Sequence, residues 1–262
     1  MLALADKEDR EELLRCLGEE KGKCLYMYMD ILKFGLGHPE ISVWVQRDGF
    51  GMSAVAMRYH NGFHIYARGA EYMPGEIVDL IRRERPTMIC GEKHVVQGIA
   101  DGLPGYVAEY GVVSRLSAPV ARCAGCDVGI AQGPDFSQVA QMLKEDDDYG
   151  ASFTCGELEL QFRSRQESGL SRSYVLRSGG RVVAHVATGA ECDAVATISG
   201  VVVRADCRRQ GLATKVMRAI CADLQAEGKD VYSIYYAEQS ARLHGKLGFV
   251  KYCDWGKLFT HA

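Results

Sequence analysis

Seven consecutive residues in the last third of the chain have the side chains and the setting of a phosphate-binding turn. They stand between an apolar strand pattern and a helical pattern. The seven are Arg208, Arg209, Gln210, Gly211, Leu212, Ala213 and Thr214. The first N–H groups of a helix lack partners within the helix and lie at the positive end of its dipole, so they can bind phosphate. Glycine and alanine let the backbone approach a ligand closely, and arginine adds charge-assisted hydrogen bonds. The turn therefore predicts a diphosphate site.

His244 is the second residue whose type could carry chemistry, because a histidine can exchange protons near neutral pH. It lies in the stretch SARLHGKLGF, which predicts a short amphipathic helix ending at Gly248. Leu243 and Leu247 form a narrow apolar seam along that helix, which leaves His244 free to point elsewhere. The helix alone does not say whether His244 reaches a reaction centre.

The segments around these residues predict alternating strands and helices. Residues 194–204, AVATISGVVVR, predict a buried β-branched strand, and the turn leads into a long helix that ends at Gly228. A strand at 230–237 precedes the His244 helix, and 249–259 predicts one or two further strands. Upstream, we predict strands near 126–131, 171–178 and 181–188 and helices near 135–144 and 155–167.

The first half of the chain predicts an α+β arrangement. Residues 41–68 alternate apolar and polar side chains and contain two hairpin signals, Asp48-Gly49 and Asn61-Gly62, so they predict an antiparallel meander. Helices are predicted near 8–20, 23–34, 75–84 and 93–101, with a strand at 87–91. Residues 116–134 mix proline, glycine and small side chains as domain junctions do. We therefore predict two domains, 1–120 and 121–262.

Composition excludes several classes of protein. Of the 262 residues, 47% are apolar and 25% charged, which is typical of a globular protein. The net charge of −3 argues against a general nucleic-acid or membrane-surface binder. The beginning of the chain has no signal-peptide pattern, and the ten cysteines fit a reducing compartment, so we expect a cytoplasmic location. Cys123 and Cys126 form a single Cys-x-x-Cys pair, and no metal site is predicted.

The order of these segments resembles the GNAT superfamily of acyl-CoA-dependent N-acyltransferases. An R-x-x-G-x-A turn after an apolar strand, then a helix, a strand and a helix ending in K-L-G-F carry the resemblance. It extends over about residues 126–260 and is specific over 198–249. It implies a mixed, mostly antiparallel sheet flanked by helices. The first half, with a comparable order of elements but no such turn, is interpreted as a degenerate copy of the same fold that does not bind coenzyme A.

The resemblance also implies roles for particular residues. The turn from Arg208 to Thr214 would bind the diphosphate of acetyl-CoA, and the pantetheine would pair with the backbone of Val201 and Val203. Family members usually carry a tyrosine, the acid for the departing thiolate, where this chain has His244, and many have asparagine where it has Ala237. An imidazolium can protonate a thiolate if a neighbouring charge keeps it protonated. His244 is therefore a candidate general acid, or a bystander in a site that needs none.

The expected function is an acetyl-CoA-dependent N-acetyltransferase in which a primary amine attacks the thioester directly. The acceptor, a small-molecule or peptide amine, stays open, as do the acyl length and the oligomeric state. The strand at 194–204 contains no carboxylate, and Glu191, Asp193, Glu238 and His185 are each interpreted as structural, so no base is assigned. The acidic run 145–148 is a surface loop or an amine-attracting rim. The alternative function is a non-catalytic acyl-CoA sensing module.

Overall fold

The computed structural model describes residues 2–69, 71–145 and 153–260 of the protein, so that only Glu145 of the acidic run 145–148 is included. The chain forms two compact units. The first consists of Met1–Ser114, Tyr235–Ala237 and Lys251–Ala262, and the second of Arg115–Ile234 and Glu238–Val250. In the described part of the chain, no helix is both long and apolar enough to cross a bilayer.

The first unit is one sheet with two pairs of helices. Its strands follow the spatial order β1-β2-β3-β4-β5-β12-β6. The helices are α1 (Arg10–Glu19), α2 (Leu25–Phe34), α3 (Pro74–Glu84) and α4 (Lys93–Ala100). The strands are β1 (Ala3–Leu4), β2 (Ile41–Asp48), β3 (Gly51–Tyr59), β4 (Gly62–Ala67), β5 (Met88–Glu92), β6 (Val107–Leu116) and β12 (Phe249–Phe259). Because β2, β3 and β4 pair antiparallel through the two expected turns, the predicted meander is confirmed.

The second unit repeats this order of elements. The spatial order of its strands is β11-β10-β9-β8-β7. The strands are β7 (Val128–Ile130), β8 (Ser173–Ser178), β9 (Arg181–Glu191), β10 (Val195–Val203) and β11 (Asp230–Tyr235). The helices are α5 (Asp135–Lys144), α6 (Cys155–Glu167), α7 (Leu212–Ala226) and α8 (Glu238–Lys246). In each unit a helix connects one parallel strand pair, β4 with β5 and β10 with β11. The pairs β3–β4, β5–β12, β8–β9 and β9–β10 are antiparallel. The predicted mixed, mostly antiparallel fold is confirmed.

Local sequence explains how the second unit builds its layers. Thr154 begins α6 with a capping box, accepting from the Glu157 N–H while the Glu157 carboxylate accepts from the Thr154 N–H. On α7, Val216, Ile220 and Leu224 recur at four-residue spacing and are fully buried against one face of the sheet. Side chains of α5 and α6 cover the other face. The strands in between are apolar on both faces, as the run 194–204 predicts.

Two features of the first unit differ from what the sequence indicates. No strand is predicted at Val107–Leu116, because Gly111 interrupts its apolar pattern and the first half of the strand is mostly exposed. The second feature is the position of β12, whose residues 255–259 pair antiparallel with β5 and belong to the first unit. The domain division at residue 120 stays a prediction, while compactness assigns the last strand to the earlier part of the chain.

Candidate functional site

The C-terminal half of β10 presents a free backbone edge. The parallel pairing of β10 with β11 runs from Val195 opposite Asp230 to Ile198 opposite Ser233, and β10 continues for five more residues to Val203. On its other side, the Arg204 N–H donates to the Val183 carbonyl of β9 at 3.1 Å. Since N–H groups alternate along a strand, the N–H of Val203 points away from β9. The edge beyond Ile198 is therefore open to strand addition.

A bulge interrupts β10 at the start of this free edge. The pairing with β9 shifts register between Ser199 and Val202, and Gly200 adopts a φ of +59°. Its carbonyl accepts a hydrogen bond from Nδ1 of His185 at 2.7 Å. A residue with a side chain rarely adopts this backbone conformation, so glycine is favoured at the bulge.

The predicted phosphate-binding turn leads into an open helix N-terminus. Arg209 and Gly211 have φ angles of +62° and +74°, and α7 begins at Leu212. No side chain caps this helix, and a Cβ built on Gly211 would meet no atom within 4 Å. The first N–H groups of this 15-residue helix therefore have no side-chain cap. A diphosphate fits there on both electrostatic and steric grounds.

Arginine side chains make this turn positive. The exposed Arg208 donates from Nε to the Val203 carbonyl at 3.2 Å, which holds its guanidinium beside the end of β10. Arg209 is exposed as well. Asp206, two residues before the turn, pairs with Arg181 at 3.0 Å, so its charge is offset. The arginines are therefore available to an anionic ligand.

His244 occupies a buried position on α8. Its side chain is 4% exposed and packs edge-on against Phe249, with ring centroids 5.1 Å apart. Nδ1 donates to the Ser240 carbonyl at 2.6 Å. Burial lowers the pKa of His244 below its usual value, and the Ser240 carbonyl only partly opposes this. The ring is therefore mainly neutral at pH 7, with its proton on Nδ1.

The structure brings most of the predicted site residues around one apolar cluster. Phe249, the ring partner of His244, belongs to the core beneath α7. Val201, Val203 and Leu212 pack against that same core. The free edge, the turn and α8 thus share one side of the second unit. Gln210 and Gly211 are exposed, and Ala213 and Thr214 are half-buried in the first turn of α7.

The acids flanking the sheet are not arranged as bases for this site. Glu191 binds Arg172 and Lys229, and these cations hold its pKa below the usual value despite burial. It lies at the opposite end of β10 from the turn. Glu238 pairs with Arg242 at 2.5 Å on the exposed face of α8. Their ion pairs agree with the structural roles expected for them.

Comparison with known proteins identifies the second unit. Residues 137–249 match the model of the acetyltransferase (GNAT) family. These residues form a GNAT acetyltransferase domain. The matched stretch contains the bulge, the free edge, the turn and the His244 helix of that domain. A search of curated proteins by sequence finds no match.

Solved structures with low sequence identity share the GNAT fold over nearly the whole chain. A GCN5-related N-acetyltransferase from Sphaerobacter thermophilus is 13% identical, with a TM-score of 0.64 over 98% of this chain and 94% of that one. A Drosophila protein is 11% identical, with a TM-score of 0.68 over 99% and 98%. A tandem GNAT protein from the clavulanic acid biosynthesis pathway is 15% identical, with a TM-score of 0.59 over 98% and 97%. The GNAT-like fold therefore includes the first unit.

Sequence reasoning missed the role of one residue pair, Gly200 and His185. A glycine inside an otherwise β-branched strand is a signal for a bulge or for a close approach of backbone. The histidine carries no local signal, because its partner lies 15 residues further along the chain on another strand.

Proposed function

We propose that the GNAT domain is an acetyl-CoA-dependent N-acetyltransferase that modifies a primary amine. One observation carries this proposal: a free strand edge and an uncapped, positively charged helix N-terminus follow each other at the same end of β10. Acetyl-CoA, when bound, supplies an activated thioester, and transfer forms a C–N bond as the C–S bond breaks. The acceptor ammonium must first lose a proton, because only the neutral amine attacks. The nitrogen loses a further proton after the C–N bond has formed.

Binding would use backbone groups more than side chains. The N–H groups at the start of α7, from Gly211 to Thr214, would hold the diphosphate, and Arg208 and Arg209 would neutralise its charge. The backbone carbonyl of Val201 and the backbone of Val203 would pair with the pantetheine amides as an added strand does. Alignment of the two substrates and polarisation of the thioester carbonyl by an N–H of β10 would supply most of the rate.

His244 is retained in the proposal as the candidate general acid. An imidazolium there would give its proton to the departing thiolate, and solvent would restore it. Because burial lowers the pKa of His244, the protonated ring becomes more abundant only as the pH falls. The acid role therefore predicts that kcat falls as the pH rises through this lowered pKa, and that His244→Ala removes this dependence while leaving CoA affinity nearly unchanged. A kcat profile that His244→Ala does not alter would contradict it.

The neutral state of His244 also favours a second candidate function, an acyl-CoA sensing module without turnover. A neutral ring has one N–H, and here Nδ1–H donates to the Ser240 carbonyl, so the ring has no proton to give to a thiolate. In a sensing module the same residue would pack against the pantetheine site without taking part in chemistry.

Thiol release from acetyl-CoA separates the two functions. The full chain is incubated with acetyl-CoA and, in turn, a polyamine, an aminoglycoside, an amino acid and a peptide with a free N-terminus. Release of free CoA thiol that depends on one amine supports the transferase, and a mass increase of one acetyl group identifies the product. Tight CoA binding without release on any amine supports the sensor.

A matched pair of double variants shows whether the turn holds the cofactor. Replacing Arg208 and Arg209 together by alanine should weaken CoA binding. Replacing Arg82 and Arg83, two adjacent arginines in the last turn of α3, should not. Equal weakening by both pairs would contradict the assignment of the turn. The proposed acetyltransferase function includes a primary amine as the acceptor and a cytoplasmic location.

A further inference from the structure

His185 of β9 is completely buried beneath α6. Its exposed fraction is 0%, and its ring meets Phe162 edge-on with centroids 5.3 Å apart. Nδ1 lies 2.7 Å from the carbonyl oxygen of Gly200, within the bulge of β10. A side chain therefore satisfies a strand carbonyl at the point where the ladder between β9 and β10 is irregular.

The chemistry of this contact fixes the state of the ring. A carbonyl oxygen only accepts, so Nδ1 must carry the proton. Burial lowers the pKa of His185 to about 4, so the ring is neutral at physiological pH. The hydrogen bond thus persists unchanged across the pH range in which an amine acetyltransferase would work.

The hydrogen bond orients a whole peptide group rather than one carbonyl. Peptide bonds in the described chain are trans, so the Gly200 carbonyl and the Val201 N–H point in opposite directions from one planar unit. With the carbonyl held on His185, the Val201 N–H points away from β9. It then lies on the edge of β10 that continues past the last parallel pair, Ile198 with Ser233.

We propose that His185 is a positioning residue, which holds the Gly200–Val201 peptide so that the Val201 N–H is presented to the acyl carbonyl at the free edge of β10. The inference rests on the proposed function and adds to it a residue that touches neither substrate. Gly200 belongs to the same device, because a Cβ there would lie 3.2 Å from Cε1 of His185 and 3.3 Å from the Phe162 ring. A side chain at position 200 would therefore push His185 away from the Gly200 carbonyl.

The test compares two substitutions of His185. His185→Asn keeps an N–H donor near the position of Nδ1, while His185→Leu removes it at similar volume. His64→Leu is the matched control, because it removes the β4 histidine of the first unit, whose pKa burial also lowers to about 4. Each variant is checked for folding by its denaturation midpoint. Turnover, free-CoA affinity and the amide exchange of Val201 are then measured.

The expected outcome is a loss in kcat with little change in binding. His185→Leu should lower kcat roughly 10- to 100-fold and leave the affinity for free CoA, which has no acyl carbonyl, within about twofold. His185→Asn should recover a large part of the loss, and His64→Leu should retain wild-type turnover. Wild-type kcat in a folded His185→Leu protein, or equal losses in the leucine and asparagine variants, would overturn the proposal.

Amide exchange tests whether His185 orients the Gly200–Val201 peptide even if the proposed function fails. If the wild-type chain transfers no acetyl group to any amine, the transferase assignment is wrong, yet the orientation of the peptide remains measurable. In the ligand-free wild type the Val201 amide should exchange fast, as an N–H at an open edge does, and its exchange rate should change in His185→Leu but not in His64→Leu. Slow exchange of Val201 in the wild type would overturn the inference by itself.

Discussion

The parallel strand pairs β4–β5 and β10–β11 have the same topology and different edges. In the first unit, β4 pairs with β5 as far as Ile65 opposite Gly91 and ends two residues later at Ala67. In the second unit, β10 passes its last parallel pair by five residues and carries a bulge. A Cβ on Gly91 would lie 2.6 Å from the Ile65 carbonyl oxygen, so β4 and β5 touch through their backbones. Only the second pair leaves an edge for an added strand.

The helices that follow β4 and β10 also differ, because the N-terminus of α3 is capped and that of α7 is not. Residue Pro74 is the first of α3 and has no N–H to offer. The side chain of Gln46 holds the residue before it, accepting from the Met73 N–H at 3.0 Å and donating to its carbonyl at 2.9 Å. Glu76 adds a negative charge in the first turn. The N-terminus of α7 has none of these features, so a diphosphate suits α7 and not α3.

In both units the fold supplies a position, and a few residues decide its use. Both units place a strand, a turn and a helix in the same sequence, but the anion site depends on the turn residues and on what caps the helix. The first unit is thus expected to contribute stability rather than cofactor binding. Each of the following substitutions tests one part of that contrast.

The largest effect is expected at the turn glycines. Gly211→Val places a β-branched residue at a φ of +74° in the proposed diphosphate site, and CoA affinity should fall roughly 100-fold, or about 2.7 kcal/mol. Gly69→Val, at a φ of +81° in the corresponding turn of the first unit, should leave affinity unchanged. Isothermal titration with CoA measures both. Comparable losses would show that the first unit takes part in binding.

The second effect concerns β4 and β5, the parallel strands of the first unit that touch through their backbones. Gly91→Val should destabilise the protein by about 2 kcal/mol, because the new side chain meets a backbone carbonyl that cannot move aside. Gly62→Ala, at the other end of β4 with its nearest contact at 3.4 Å, should cost less. Urea unfolding gives both values. A Gly91→Val protein as stable as Gly62→Ala would mean that β4 and β5 can separate as β10 and β11 do.

The third effect concerns the cap of α3. Gln46 is fully buried, so Gln46→Leu removes hydrogen bonds to both backbone groups of Met73 and should cost about 1–2 kcal/mol of stability. It should not create CoA binding, because Pro74 still lacks an N–H. Appearance of a second CoA site in calorimetry would show that the cap alone distinguishes the two units.

The smallest effect is a pair of opposite pH dependences, each about 1 kcal/mol or less. Arg172 and Lys229 hold the pKa of Glu191 below its unfolded value, so its stabilisation is present above about pH 4.5 and is lost as the pH falls through the folded pKa. Burial raises the pKa of Glu92 in the first unit, so its ionised form costs stability above the folded pKa. Glu191→Gln should therefore destabilise at pH 7 and converge with wild type in acid.

Glu92→Gln should show the opposite effect on stability to Glu191→Gln. Its stability at pH 7 should equal or exceed that of the wild type, since the uncharged amide avoids the desolvation of a carboxylate that lies 3.6 Å from Lys23. Denaturation midpoints at pH 7 and pH 3.5 compare the two variants. Destabilisation of equal size and equal pH dependence in both would remove this distinction between the units.

Local patterns were sufficient for most elements and for the turn. Alternation and glycine pairs predict the hairpins around Asp48 and Asn61, and the run before Arg208 predicts β10, because these signals lie within a few residues of each other. The clamp of His185 on Gly200 joins two strands. The pairing of β5 with residues 255–259 joins distant parts of the chain, and no local pattern encodes either contact. The pKa of His244 likewise depends on packing that the sequence of α8 does not display.

The position of β12 gives the order of synthesis a physical consequence. Glu92 pairs with Trp255, so β5 waits for a partner made 163 residues later (255 − 92). At 5–20 residues per second this interval is roughly 10–30 s. During that time β5 is an unpaired edge of the kind that recruits other strands. Ribosome-bound chains halted before residue 255 should therefore be held by chaperones and sensitive to protease, and those released after residue 259 should lose both properties.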